Sequence, residues 1–264
     1  MDLSIIILNY KSKGLVRNCL KSVYRHTQEL DFEVIVVDNN SCDGIKEELK
    51  SDFSKVKFLE APKNLGYSAG NNLGIQEAQG KYIVIVNPDI SLQENSFKKM
   101  YDFMQKNEKI GILGPCLVNP DGTLQYTRCR YPQFLMPVYR RTWLKRLKFI
   151  KKKIDYYLTK DKDYSSPSVC DWLFGACLFV RKKALDQVGL LDERFFLGFE
   201  DTDWCRRFWG NNYEVWYFPK TKLIHYPHRF SRNNFFSKSV RIHIASWLKY
   251  FLKYGFRKPY SKLN

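Results

Sequence analysis

No two of the seven cysteines form a C-x-x-C pair, so the spacing that builds most structural zinc sites is missing. Their number is odd, and Cys19, Cys42, Cys116, Cys129, Cys170, Cys177 and Cys205 are scattered. That disfavours a complete disulfide framework and fits a reducing, cytoplasmic setting. No stretch approaches the ~18 uninterrupted apolar residues of a membrane span. Met1-Asp2-Leu3-Ser4 leads directly into a strand-like run without a charged leader or cleavage site, so no secretory signal is expected. Acidic residues are missing altogether from Val215 to Asn264.

The chain does have a large apolar share. Of its 264 residues 44% are hydrophobic and 16% aromatic, the composition of a folded core and not of a disordered chain. The formal net charge is +17, which points to an anionic partner: nucleic acid, a phosphorylated substrate or anionic lipid.

Three short apolar runs read as strands buried on both faces of a parallel sheet: Leu3 to Asn9, Phe32 to Asp38 and Tyr82 to Val86. A fourth, shorter strand is expected over Val56 to Leu59. Helical spacing between the first two covers about Gly14 to Thr27. Strand alternating with helix is the order of a parallel α/β sheet. Asp38 and Asp89 each fall at the carboxyl end of a strand, where open α/β sheets bind ligands. Asn87-Pro88-Asp89 is good turn chemistry, and its carboxylate can also hold a divalent cation. Asn64-Leu65-Gly66-Tyr67-Ser68-Ala69-Gly70-Asn71-Asn72 is neither a Walker loop nor G-x-G-x-x-G. Its small residues still let backbone N–H groups approach a ligand, with a helix from about Ser68 to Ala78 behind them.

Together these segments resemble family 2 glycosyltransferases, and within them the rhamnosyltransferase-like branch. The likeness lies in Ser4-Ile5-Ile6-Ile7-Leu8-Asn9-Tyr10, Val36-Val37-Asp38-Asn39-Asn40-Ser41, Asn64-Leu65-Gly66-Tyr67, Val86-Asn87-Pro88-Asp89 and Phe199-Glu200-Asp201-Thr202-Asp203-Trp204-Cys205-Arg206-Arg207. It spans about Leu3 to His225. It implies a GT-A fold, a Rossmann-like, mostly parallel central sheet flanked by helices. It also implies a nucleotide-sugar donor met by Asn9, Asp38, Asn40, Asn64, Gly66, Asn71 and Asn87, with Asp38 facing the base. Asp89 matches the last residue of the family's metal-binding D-x-D, whose first position is here the uncharged Asn87. His225 resembles a further metal contact, with His228 beside it, and imidazole suits Mn²⁺ as well as carboxylate does.

Glu200-Asp201-Thr202-Asp203 opens a helix expected to run through Trp209. Acids in a first turn favour the helix dipole, and a carboxylate here can equally serve as a general base. By resemblance Asp201 is that base and Glu200 orients the acceptor. Asp203 is expected to cap the helix or to pair with Arg206 or Arg207, and so to tolerate Asn. Cys170 to Arg181 resembles the family's Gly-Ala strand, placing Gly175 beside the acceptor. Trp172 is either an acceptor platform or a core residue. A strand from Tyr213 to Phe218 should stop at Pro219.

Residues 126–168 change character. Arg128, Arg130, Arg140, Arg141 and a run of lysines are interleaved with Tyr131, Phe134, Trp143 and Phe149. Such an insertion fits a solvated loop, a nucleic-acid groove with stacking aromatics, or a segment in an anionic headgroup layer. Residues 229–264 form a basic helical C-terminal extension to a glycosyltransferase domain of residues 1–228. Its Trp247 and Phe251 are expected on the apolar face of a membrane anchor or packed on the domain.

The expected reaction is inverting, Mg²⁺- or Mn²⁺-dependent sugar transfer. Rhamnose from dTDP-rhamnose is the first candidate; UDP-hexoses and UDP-galactofuranose are the others. The expected acceptor is a lipid-linked bacterial surface glycan, with the enzyme peripheral on the inner face of the cell membrane and no nucleic-acid partner. The rival is a non-catalytic, basic nucleic-acid-binding protein.

Overall fold

The structure, a computed structural model, describes residues 1–227, 238–256, 261 and 263. His228 and the basic residues Arg229, Arg232, Arg257, Lys258 and Lys262 lie outside the described residues.

The first third alternates as its apolar runs require: β1 (Leu3–Asn9), α1 (Lys13–His26), β2 (Phe32–Asp38), α2 (Ile45–Asp52), β3 (Lys57–Glu60), α3 (Gly66–Gln76) and β4 (Tyr82–Val86). Next come β5 (Ile90–Leu92), α4 (Ser96–Gln105), β6 (Ile110–Val118) and β7 (Leu124–Gln125). The basic segment carries β8 (Arg128–Cys129), α5 (Met136–Arg141), a 3-10 turn (Trp143–Arg146), α6 (Lys148–Tyr157) and β9 (Ser168–Val169). The rest is β10 (Trp172–Leu173), β11 (Cys177–Arg181), α7 (Lys182–Val188), α8 (Glu200–Gly210), β12 (Glu214–His225) and α9 (Lys238–Tyr254).

The main sheet has the order β3-β2-β1-β4-β11-β6-β12-β5. β3, β2, β1 and β4 run parallel; β11 enters antiparallel between β4 and β6. The order turns back on itself at β1 and β4, so the chain leaves both strands toward one crevice. Strand alternation divides the core. Ile5, Ile7, Val34, Val36, Val84 and Val86 pack under α1 and α4, whereas Ile6, Ile35, Val37, Ile83 and Ile85 pack toward α3 and α8. Each such side chain contributes ~1.5–3 kcal/mol on full burial. A one-residue slip would exchange the two faces, so the register fixes Asn9, Asp38 and Asp89 at one edge.

Four expectations need correction. β12 does not stop at Pro219 but runs on to His225, with a register shift between Phe218 and Lys222 that absorbs the proline's missing N–H. Phe174 to Ala176 is the turn between β10 and β11, not strand. Arg128 and Arg130 are buried, so they belong to the interior and to no solvated or lipid-facing surface. Trp247 and Phe251 face inward: Phe134 lies 4.6 Å from the Trp247 ring and 5.1 Å from that of Phe251.

α9 docks on the domain through polar contacts as well. Asp203 is fully buried and accepts from Arg207 Nε at 2.8 Å, the Tyr254 hydroxyl at 2.7 Å and the Lys253 ammonium. Ser246 donates to the Leu197 carbonyl at 3.0 Å, and Lys249 to that of Arg194 at 2.7 Å. The helix is thereby fastened to the loop that carries the acidic residues.

Candidate active site

Two cavities carry the candidate site residues. The first, of about 430 Å³, is lined by Tyr10, Asn39, Asn64, Gly66, Asn87 and Asp89, with Lys238 and Ile242 of α9 across from them. Its floor is a network of amides. Asn39 is buried; its Nδ2 donates to Asn64 Oδ1 and to the Gly66 carbonyl, both at 3.0 Å, and its Oδ1 accepts from Leu65 N–H at 2.8 Å. Gly66 has φ +84°, and a side chain there would come within 2.5 Å of the Phe196 carbonyl. Only glycine closes this approach.

Asn9 and Asp38 lie behind that wall. Asn9 Nδ2 donates to Asp38 Oδ1 at 2.8 Å, and Asp38 Oδ2 accepts from Ser41 N–H at 3.1 Å. Asp38 and Asn40 instead line a smaller hollow of about 200 Å³ beside Asp43 and Glu60. Asn71 is buried one turn into α3, where its Nδ2 donates to the Tyr67 carbonyl at 2.9 Å and its Oδ1 has no partner. The structure thus gathers Asn64, Gly66, Asn87 and Asp89 in one cavity and sets Asn9, Asp38, Asn40 and Asn71 around it.

The pair at the end of β4 and β12 has the chemistry of a cation site. Asp89 Oδ2 lies 3.4 Å from His225 Nε2, and Asp89 Oδ1 is buried without a partner. His225 Nδ1 is 2.7 Å from Gln125 Oε1. Gln125 Nε2 in turn donates to Asn119 Oδ1 at 2.8 Å, which fixes the amide's orientation. This network orients the imidazole so that Nε2 faces the Asp89 carboxylate. The two side chains can pair with each other or serve together as ligands of one divalent cation. Among the described residues no cluster of three His, Cys, Asp or Glu surrounds a metal position. The protein therefore offers two ligands, and a diphosphate and water would supply the oxygens that complete a Mg²⁺ or Mn²⁺ shell.

The second cavity, of about 330 Å³, is lined by Asp201 and Thr202, by Trp172 and Phe174, by Arg140 and Arg141 of α5, and by His243 and Trp247 of α9. Trp172 is a core residue that also lines this cavity. It is buried and donates from Nε1 to the Arg130 carbonyl at 2.8 Å, yet its ring stacks on Phe174 with centroids 5.2 Å apart at the cavity wall.

Asp201 lines the second cavity, where backbone N–H groups hold it. Its Oδ2 accepts from Gly175 N–H at 2.9 Å and its Oδ1 from Thr202 N–H at 2.7 Å. The Gly175 carbonyl accepts the Tyr67 hydroxyl at 2.6 Å, and Tyr67 lines the first cavity. A methyl group at Gly175 would sit 3.3 Å from that hydroxyl and 3.4 Å from Asp201 Cβ. Burial pushes the Asp201 carboxyl up to about 6, against the pull of the Gly175 and Thr202 N–H groups. Burial, and then the Asp201 charge, drives Glu200 well above the usual carboxylate range. The environments of the two neighbouring acids thus raise both, Glu200 further than Asp201, and resist ionising them together. Glu200 Oε2 is buried without a partner. The turn that presents both has Gly198 at φ +84° and Phe199 at φ +73°. A phenylalanine in the left-handed region is strained, and its ring is held 5.3 Å from that of Tyr250.

Sequence reasoning did not single out Asn39, Tyr67, Phe174, Arg140, Arg141, Lys238 or His243 as site residues. Asn39 and Tyr67 sat inside quoted motifs. Phe174 adjoins the named Trp172. The α9 residues carried no local signal, because only docking brings that helix to the site.

A parallel α/β half with a carboxylate–imidazole pair at its edge, and a second cavity holding a raised carboxylate, is the layout of an α/β enzyme. The Glycosyl transferase family 2 model matches residues 4–187, and the chain belongs to that family. It is 26% identical over 210 residues to the low-salt glycan biosynthesis hexosyltransferase Agl10 of Haloferax volcanii, covering 78% of this chain and 61% of that protein. It is 25% identical over 244 residues to the N-acetylglucosaminyl-diphospho-decaprenol L-rhamnosyltransferase of Mycobacterium tuberculosis, covering 85% and 76%. The crystal structure of GalNAc-T7 with UDP, GalNAc and Mn²⁺ superposes with a TM-score of 0.66 at 14% identity, over 86% of this chain and 44% of that one. The fold is therefore GT-A.

Proposed function

We propose that the protein transfers a sugar from a nucleoside diphosphate to an acceptor hydroxyl with inversion, and that Asp201 is the base. The observation that carries this reading is the chain Tyr67–Gly175–Asp201, which ties the first cavity to a carboxylate facing the second. Asp201 takes the hydroxyl proton, the hydroxyl oxygen attacks the anomeric carbon, and the bond to the diphosphate breaks on the opposite face. Asn64, Gly66 and Asn87 bind the donor, Asp38 and Asn40 face the base, and Trp172 with Phe174 forms a plate for the acceptor sugar. Asp89 and His225 would hold Mg²⁺ or Mn²⁺, which when bound neutralises charge on the leaving diphosphate.

The diphospho-decaprenol L-rhamnosyltransferase relative supports rhamnose as the sugar and a lipid-linked acceptor, and the similarity to the dTDP-rhamnosyl transferase RfbF of Shigella flexneri, 25% identical over 209 residues, supports dTDP as its carrier. Among the described residues no helix is long and apolar enough to cross a membrane. A peripheral attachment is supported by exposed Leu135, Trp143, Phe149, Leu252 and Phe256, near exposed Lys145, Arg146, Lys148, Lys151 and Lys152. The domain limits proposed are residues 1–228 and 229–264, with α9 of the second part contributing to both cavities. Thermal stabilisation by dTDP-rhamnose, UDP-hexoses and UDP-galactofuranose, with and without Mn²⁺, tests the donor. Stabilisation by one of them only with Mn²⁺ is expected; none responding would defeat the reading.

A further inference from the structure

We infer that Arg140 and Arg141 seat a phosphoryl group of the acceptor in the cavity beside Asp201. This rests on the transferase reading and adds a substrate class to it: an acceptor whose sugar is joined to a phosphate or diphosphate.

The arginines of one segment divide into two kinds. Arg128 donates from Nε to Thr159 Oγ1 at 3.1 Å and stacks 4.1 Å above the Tyr164 ring. Arg130 grips both oxygens of Asp161, at 2.7 and 2.8 Å, and lies 3.7 Å above the Tyr156 ring. Both are satisfied within the fold. Arg140 and Arg141, in the last turn of α5, line the cavity instead, and no carboxylate among the described residues is in ion-pair range of either.

Two adjacent cations thus face the cavity with no counter-ion among the described residues. The Arg140 guanidinium is exposed and lies over the Tyr157 and Phe174 rings, at 5.5 and 5.8 Å, contacts that orient it but carry no negative charge. Arg141 is open to solvent on one side; burial of the other, and then the Arg140 charge, pulls its pKa below the usual value. His243 adds no charge at neutral pH, because burial and Arg141 hold it down to about 4. Asp201, the one carboxylate lining the cavity among the described residues, already accepts from the N–H groups of Gly175 and Thr202 and forms no ion pair with either arginine. An anion between the guanidiniums would relieve their repulsion, and the planar fork of arginine matches phosphate oxygens. The stacked Trp172 and Phe174 rings lie in the same cavity, so sugar and phosphate would sit side by side.

A lipid-linked intermediate and a soluble sugar phosphate present the same chemistry. The full chain is titrated calorimetrically with geranyl phosphate, α-glucose 1-phosphate and inorganic phosphate. The same titrations use Arg140→Gln, Arg141→Gln and, as a charge control, the exposed Lys55→Gln. Each arginine variant should weaken binding about tenfold or more, the loss expected for a charge-assisted hydrogen bond, with Lys55→Gln within about twofold of wild type. Tighter binding of geranyl phosphate assigns a lipid-linked acceptor, and tighter binding of glucose 1-phosphate a soluble one. If an arginine variant melts early, Arg→Lys replaces it, keeping charge but losing the fork, and should still weaken binding. No binding by any probe, or equal losses in Lys55→Gln, overturns the site. Wild type is also melted with the nucleotide-sugars and Mn²⁺. Nucleotide response without arginine-dependent phosphate binding defeats this inference alone, whereas phosphate binding without nucleotide response defeats the transferase reading and leaves the anion site.

Discussion

At Asp201 one carboxylate must be ionised to accept a proton while burial resists ionisation. Its pKa of about 6 predicts an acidic limb centred near pH 6 in kcat/KM. Asp201→Asn should lower kcat by ~10²–10⁴ and leave donor affinity nearly unchanged. The same shift has a stability consequence of opposite sense. The folded chain holds this proton more tightly than the unfolded chain, whose value is 3.8, so stability falls as pH rises from about 4 to about 6. Asn lacks this titration but sets its NH2 against one of the Gly175 and Thr202 N–H donors, so the change with pH is the diagnostic quantity. The melting temperature of Asp201→Asn relative to wild type should rise as pH goes from about 4 to about 6. A difference that stays constant across that window would contradict the burial argument. Asp89 makes a separate prediction. With Oδ1 unpartnered and Oδ2 3.4 Å from His225 Nε2, Asp89→Ala should abolish the Mn²⁺ dependence of donor binding. Unchanged metal dependence by calorimetry would remove the cation from this pair.

Among the elements, α8 and α9 form the joint on which the acidic turn rests. Asp203 was expected to tolerate Asn as a helix cap, but it is fully buried among Arg207, Lys253 and Tyr254. Asn keeps the shape and loses the charge, leaving two cations partly buried. Asp203→Asn should cost about 1–3 kcal/mol, read as a lower melting temperature, with kcat per folded molecule little changed. A melting temperature equal to wild type would mean the cluster contributes nothing. The contrast shows what sequence can convey. β1, β2 and β4 were legible because unbroken β-branched runs have one reading, and the acidic turn because four polar residues follow a strongly apolar approach. Pro219 misled because a bulge in β12 was invisible without its partner β6. Arg128 and Arg130 misled because charge implies exposure until Tyr164 and Asp161 are seen to enclose them. α9 was recognisable as an amphipathic helix, but periodicity does not say whether Trp247 meets lipid or Phe134.

For the whole molecule, the question is where a net charge of +17 is spent. Arg128 is internal, whereas Arg130 and Arg207 are matched by Asp161 and Asp203. Much of the remainder lies on the surface of residues 126–168, where Trp143 is 67% and Phe149 61% exposed among lysines. Phe134 packs against Phe256, 63% exposed, so the end of α9 and the start of α5 share one face. Removing the inward Trp247 or Phe251 would damage the fold and test nothing about lipid. The outward pair is the proper probe. Trp143→Ser with Phe149→Ser should leave the melting temperature within a degree or two, since exposed side chains add little stability. The double variant should release the protein from vesicles of phosphatidylglycerol and phosphatidylcholine at moderate salt. Wild type should bind through apolar and ionic contacts together, each basic residue near the surface contributing about 1 kcal/mol, and should weaken as salt rises. The variant should retain only the ionic part and so fall off at lower salt. Co-sedimentation at two salt concentrations decides it. Identical curves for the two proteins would mean that neither ring enters the bilayer and that charge alone, on this face or another, draws the protein to a membrane.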